Sequence, residues 1–203
     1  HELRTPLAVI QTNLEVFARR ESPALKDYQE IFAMLQEQTG RLSHLAEILL
    51  DMTGVQTVER SERISLAALT DEVFCDLASV ADQKDVELIQ QEGDCIITGS
   101  YLLLYRAVYN LVENAIKNNH SGGKVTVNIH PSEEITDTST SVNYVFLEVS
   151  DTGIGIPPEY QEKIFTPFFR VDKSRSRAMG GAGLGLALVS EIVRQHNGQV
   201  KKA

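Results

Sequence analysis

Val145-Phe146-Leu147-Glu148-Val149-Ser150-Asp151-Thr152-Gly153-Ile154-Gly155-Ile156-Pro157 is the stretch on which the fold turns. Its first half alternates and reads as a strand. Its second half delivers an aspartate to a Gly-x-Gly turn. At a strand end the Asp151 carboxylate can accept a hydrogen bond from an exocyclic amine. Gly153 and Gly155 would let the backbone approach a flat ligand closely. Taken alone, the same residues also suit a plain turn between strand and loop.

Working outward, the neighbouring segments alternate between strand and helix. Lys124 to His130 places Val125, Val127 and Ile129 on one face. Val86–Ile89 and Cys95–Thr98 read as short strands. Ser65 is a plausible N-cap for a helix over about 66–83, and Ser100 starts a long helix to about Asn119. Pro131 to Asn143 is polar and reads as a loose hairpin loop. Residues 152–182 carry many Gly, Pro, Ser and Arg, the composition of a long functional loop. Gly183 to His196 reads as a helix ended by Asn197-Gly198.

The first quarter of the chain has another rhythm. Leu3, Leu7, Ile10, Leu14 and Phe17 repeat at spacings of four and three, and so do Tyr28, Ile31, Leu35, Gln38, Leu42, Leu45, Leu49 and Met52. Ser22-Pro23 is the turn between them. Two such helices make an antiparallel hairpin whose apolar stripe is left wet. A homodimeric four-helix bundle through residues 1–52 would cover it; the alternative is that the hairpin packs on the rest of its own chain. Residues 53–63 lack an apolar period and read as a linker, with a second domain over 64–203.

The chain has 203 residues and a formal charge of -9, which argues against non-specific nucleic-acid binding. No apolar run approaches the ~18 residues of a membrane span, and no membrane contact is expected within residues 1–203. Cys75 and Cys95 make neither a disulfide scaffold nor a zinc cluster, so a reducing, cytoplasmic setting fits. The start at His1 and the stop at Ala203 read as the ends of a fragment of a longer protein.

Three further groups carry chemistry. Gly180-Gly181-Ala182-Gly183-Leu184-Gly185-Leu186 opens a helix, where bare N–H groups suit phosphates; a flexible hinge is the plain reading. Asn110 and Asn114 lie four apart on one helix face, where amide oxygens can complete the shell of a hard ion such as Mg2+; two solvent-facing asparagines are the plain reading. Lys117, three residues on, can meet a terminal phosphate.

The order of these motifs resembles one family. Asn110-Leu111-Val112-Glu113-Asn114-Ala115, Asp151-Thr152-Gly153-Ile154-Gly155, Phe165-Thr166-Pro167-Phe168-Phe169-Arg170 and Gly181-Ala182-Gly183-Leu184-Gly185-Leu186 closely resemble the ATP-binding half of sensor histidine kinases. His1-Glu2-Leu3-Arg4-Thr5-Pro6 resembles that family's phosphoacceptor box, and the likeness covers nearly the whole chain.

The resemblance implies an α+β architecture, in which the hairpin bundle precedes an α/β sandwich of the gyrase, Hsp90 and histidine-kinase type. It implies that Asp151 binds the adenine amine and that Gly153 and Gly155 shape the base pocket. Asn110 and Asn114 would hold Mg2+ and phosphates, with Lys117 and Arg170 close to the phosphates. Gly181, Gly183 and Gly185 would cover the triphosphate. Lys173, Arg175 and Arg177 add positive charge, or form a solvated loop. His1 would accept the phosphoryl group, Glu2 would take its proton, and Thr5 would place a water for dephosphorylating a response regulator receiver domain. The parent protein would be attached to a membrane by upstream segments.

Two departures matter. The family often stacks an aromatic on adenine near Asn118; here Asn118-Asn119 stands there, which predicts modest nucleotide affinity. The strand usual after Gly198 is cut short. Two other functions bear weighing. An ATP-hydrolysing machine needs a Glu to activate water where this chain has Asn110. A degenerate module that only docks a regulator would lack intact motifs. The other histidines, His44, His120, His130 and His196, are assigned no role.

Overall fold

The computed structural model describes residues 4–54, 59–91, 93–135, 141–171 and 183–201. The first two elements are α1 (Arg4–Ala18) and α2 (Leu25–Gly54). They pack side by side as the hairpin that the three-four spacing predicts. Ile10 and Phe17 on α1, and Ile31, Met34, Leu35 and Leu42 on α2, are half-buried, while Gln38 is buried. At the turn Phe17 meets the edge of Tyr28, with ring centroids 5.0 Å apart, and Arg20 pairs with Asp27. The other flank stays wet: Leu7, Leu14, Val16 (56% exposed) and Phe32 (61%) face solvent. Side chains of Leu45, Leu49 and Met52 lie outside the described residues.

The remainder is two layers. The strands are β1 (Glu62–Ser65), β2 (Val86–Gln90), β3 (Ile96–Gly99), β4 (Gly123–Ile135) and β5 (Ser141–Asp151). The helices are α3 (Leu66–Lys84), α4 (Tyr101–Lys117) and α5 (Gly185–Gln195). β1 and β3 pair antiparallel; β4 runs parallel to β2 and antiparallel to β5. Val125, Val127 and Ile129 point from β4 into a core shared with Leu69, Val73 and Leu77 of α3 and Val108, Val112 and Ile116 of α4. The opposite flank of α4, Leu103 and Ala107, packs on Leu184, Leu188, Val189 and Ile192. Helix α4 is thus enclosed on two sides, and its remaining face is what the site uses.

Caps fix the helix starts. Ser65 Oγ accepts the Ala68 N–H at 3.1 Å and donates to Asp94 Oδ2 at 2.9 Å, while Asp94 Oδ1 accepts the Ala67 N–H at 3.0 Å. These bonds, that from Ala67 foremost, hold the Asp94 carboxyl below the usual carboxylate range. Ser100 caps α4 as expected. Between α3 and α4, Tyr101 donates to Glu72 and Tyr105 to Asp76. Its bond to Glu72 pushes the Tyr101 phenol up to about 12.

Three expectations are corrected. Pro131 to Asn143 is not a loose loop: β4 and β5 stay in register as far as Ile135↔Ser141, which leaves only 136–140 between them, outside the described residues. Pro131 and the polar run after it hid a strand extending beyond β2, where no apolar core imposes alternation. The last helix starts at Gly185 rather than Gly183, because Gly183 takes a left-handed φ of +69°. Glu62 and Arg63, assigned to the linker, are the first residues of β1. Among the described residues no helix is long and apolar enough to cross a membrane.

Candidate functional site

The site is built on the free face of α4. Asn110 is half-buried, and its Nδ2 donates to the Arg106 carbonyl at 2.8 Å. That bond turns Oδ1 toward the start of α5, against Gly185. One turn on, Asn114 is exposed, and its Oδ1 accepts Asn118 Nδ2 at 3.0 Å. Lys117 Nζ lies 2.8 Å from Glu113 Oε1. Glu113 therefore takes part in the site by holding this lysine.

A second wall comes from the exit of β5. Asp151 is exposed and pairs across the ladder with Val125. Its Oδ1 accepts the Gly153 N–H at 2.8 Å. A carboxylate has several further acceptor sites, so this bond holds the group at the rim and leaves it able to accept a hydrogen bond from an amine. The turn is seated on the C-terminus of α4, because Ile154 N–H donates to the Asn118 carbonyl at 3.2 Å. A side chain on Gly153 would start 2.4 Å from that same carbonyl. The Asn118 amide folds back on α4 and donates to the Asn114 carbonyl at 2.9 Å.

The loop beyond runs through a short 3-10 turn (Pro158–Tyr160), and Tyr160 lies against Phe169 with centroids 5.7 Å apart. Phe168 has a left-handed φ of +65° and its N–H donates to the Gly183 carbonyl at 2.8 Å. A Cβ on Gly183 would meet Phe169 O at 2.7 Å and Arg170 Cγ at 3.1 Å. The structure therefore brings Arg170 beside Gly183, and Gly185 beside Asn110. Thr5 lies exposed on α1. His1, Glu2, Lys173, Arg175, Arg177 and Gly181 lie outside the described residues.

The donor set suits one kind of cation. Among the described residues no group of three His, Cys, Asp or Glu side chains gathers to hold a metal. The amide oxygens of Asn110 and Asn114 are neutral, hard donors. Such donors suit Mg2+ shared with the oxygens of a phosphate ligand, rather than a site closed by protein alone.

Sequence reasoning missed several contributors. His196 Nε2 accepts the Ser100 N–H at 3.1 Å while its Nδ1 faces the Ile192 carbonyl at 2.8 Å, so it fastens α5 to the start of α4. Its partner lies 96 residues away, and no local signal announces it. Asn119, 9% exposed, bonds to Lys124 and Thr152. The signal there was a polar residue closing an apolar helix.

Known proteins resemble the chain over nearly its whole length. The family described as histidine kinase-, DNA gyrase B-, and HSP90-like ATPase matches residues 99–202, and the His Kinase A (phospho-acceptor) domain matches residues 1–57. The sensor histidine kinase RppB of Synechocystis sp. is 34% identical over 98% of the chain and 43% of its own length. The sensor histidine kinase WalK of Bacillus subtilis is 32% identical over 98% of the chain and 32% of its own length. The chain thus spans less than half of either relative. A solved histidine kinase, ThkA, in complex with response regulator protein TrrA, shares the fold with a TM-score of 0.69; at 22% identity it covers 98% of this chain and 53% of that one.

Proposed function

Since the chain belongs to the sensor histidine kinases, with a phospho-acceptor domain ahead of an ATPase domain, we propose that it is the ATP-dependent core that phosphorylates its own His1 and passes the group to an aspartate of a response regulator. The observation that carries this reading is the use of α4: Asn110 at its middle faces the Gly185 start of α5, and Asn118 at its C-terminal end seats the Asp151 turn. A nucleotide laid along that helix has its base at Asp151 and its phosphates at Asn110, Asn114, Lys117 and Arg170. Asn110 and Asn114 would hold Mg2+, which when bound would supply positive charge against the developing negative charge.

The chain's own groups do the rest. The unprotonated nitrogen of His1 attacks the terminal phosphorus as the bond to the bridging oxygen breaks, and that electron pair leaves with ADP. Glu2 accepts the proton of the other ring nitrogen. The regulator's aspartate then takes the phosphoryl group, forming a P–O bond as the P–N bond breaks. Thr5, one turn from His1, places water for the reverse signal. Gly181, Gly183 and Gly185 supply backbone N–H groups over the phosphates. The wet flank carrying Leu7, Leu14, Val16 and Phe32 supports a homodimer through the hairpin.

Incubation with γ-labelled ATP tests this: label should enter the wild type and be absent from His1→Gln. Label that persists in His1→Gln overturns the acceptor. Steady phosphate release without protein label would favour a hydrolytic machine, against which Asn110 stands where a base is needed.

A further inference from the structure

Asn119 and Thr152 contact each other, and neither belongs to the nucleotide or metal residues named above. Asn119 Nδ2 donates to the Lys124 carbonyl at 2.9 Å, and its Oδ1 accepts the Thr152 hydroxyl at 3.1 Å and the His120 N–H at 3.1 Å. Thr152 Oγ1 in turn accepts the Lys124 N–H at 2.9 Å, and the Thr152 N–H donates to the Lys124 carbonyl at 3.1 Å. Both backbone groups of Lys124 are thereby taken up at the start of β4. The fit is close: a Cβ on Gly123 would fall 2.1 Å from Asn119 Oδ1. Three elements, the end of α4, the start of β4 and the exit of β5, are fastened at one point.

Thr152 immediately follows Asp151, which is the last ladder residue of β5. We propose that the Asn119–Thr152 pair is the positioning clamp of Asp151 and so sets base discrimination. This rests on the nucleotide reading above. Asp151 distinguishes a base bearing an amine from one bearing a carbonyl only if its carboxylate is held still. A buried carboxamide that donates one hydrogen bond and accepts two supplies that stillness, and one that loses a partner does not.

The experiment compares Thr152→Val, which keeps the shape and loses the hydroxyl, with Thr152→Ser, which keeps the hydroxyl. Calorimetry with ATP and with GTP reads affinity, and a thermal melt reads stability. Thr152→Val is expected to weaken ATP about tenfold while GTP changes little, so that discrimination falls; Thr152→Ser should restore it. Unchanged ATP affinity, or equal weakening of both nucleotides that serine does not rescue, overturns the clamp. Should Thr152→Val not fold, Asn119→Ser carries the same comparison. If the wild type binds neither nucleotide, the nucleotide reading fails by itself. Amide exchange at Gly153 and Ile154 then decides the clamp: faster exchange in Thr152→Val supports it, and equal exchange overturns it.

Discussion

A methyl group on Gly185 would lie 2.6 Å from Asn110 Oδ1, so the first residue of α5 and the middle of α4 meet through one of the two amide oxygens proposed for the metal. Asn110 cannot swing aside freely, since its Nδ2 is tied to Arg106. Gly185→Ala should therefore leave the fold intact, alanine being the better helix former. It should weaken Mg-ATP binding by roughly tenfold, because the displaced amide loses both its bond and its aim. Calorimetry beside a thermal melt checks the pair; a stable variant with wild-type affinity refutes the contact's role.

Gly153 and Gly155 should behave differently despite their matching motif. A Cβ on Gly153 runs into a backbone carbonyl, that of Asn118, whereas one on Gly155 meets nothing within 4 Å. Gly153→Ala must push the Asp151 turn off α4, and nucleotide binding should be lost. Gly155→Ala bears only the strain of its φ of +66°, a cost of about 1 kcal/mol in stability. Equal losses of binding in the two variants would contradict this account.

Lys117 is held by Glu113. Releasing it with Glu113→Gln should tighten nucleotide binding by roughly two- to threefold, the scale of a partly exposed ion pair. Lys117→Met should weaken it. Both effects should shrink in high salt. Titrations at two ionic strengths measure this, and a weaker Glu113→Gln would show that the carboxylate serves the ligand directly.

Asp94 links the loop before β3 to the N-terminus of α3. Its folded pKa lies below the ordinary 3.8, so folding is favoured above that value and this contribution is lost as the pH falls through and below it. Asp94→Ala should cost about 1 kcal/mol near neutrality. The gap in melting temperature from wild type should be flat above about pH 5 and close below about pH 4. A gap that widens in acid would reverse the assignment.

Much of this was legible because local rules and the global fold agree. Ser65 and Ser100 cap where the apolar period begins, and Val125, Val127 and Ile129 alternate because one face of β4 is buried. Spacing alone singled out the two asparagines on α4 and the Asp151 turn as candidates, and only the order of the motifs, through the family resemblance, gave them roles. Legibility ended where contacts are made far apart in sequence or away from a core. The outer half of the β4–β5 ribbon has no partner strand in β2 to impose a pattern. His196 and Asn119 look like ordinary polar residues at helix ends until Ser100 and Thr152 are seen beside them.

The chain has no tryptophan and six tyrosines. Three of these, Tyr101, Tyr105 and Tyr109, follow one another along α4 with ring centroids 6.4 and 6.1 Å apart. The first two hydrogen-bond to carboxylates of α3, an arrangement that quenches phenol emission by drawing off the excited-state proton. The gain in tyrosine emission on unfolding is therefore weighted toward a single seam. The brightening on denaturation reports the parting of α3 from α4, the helix that carries the site, with no label added.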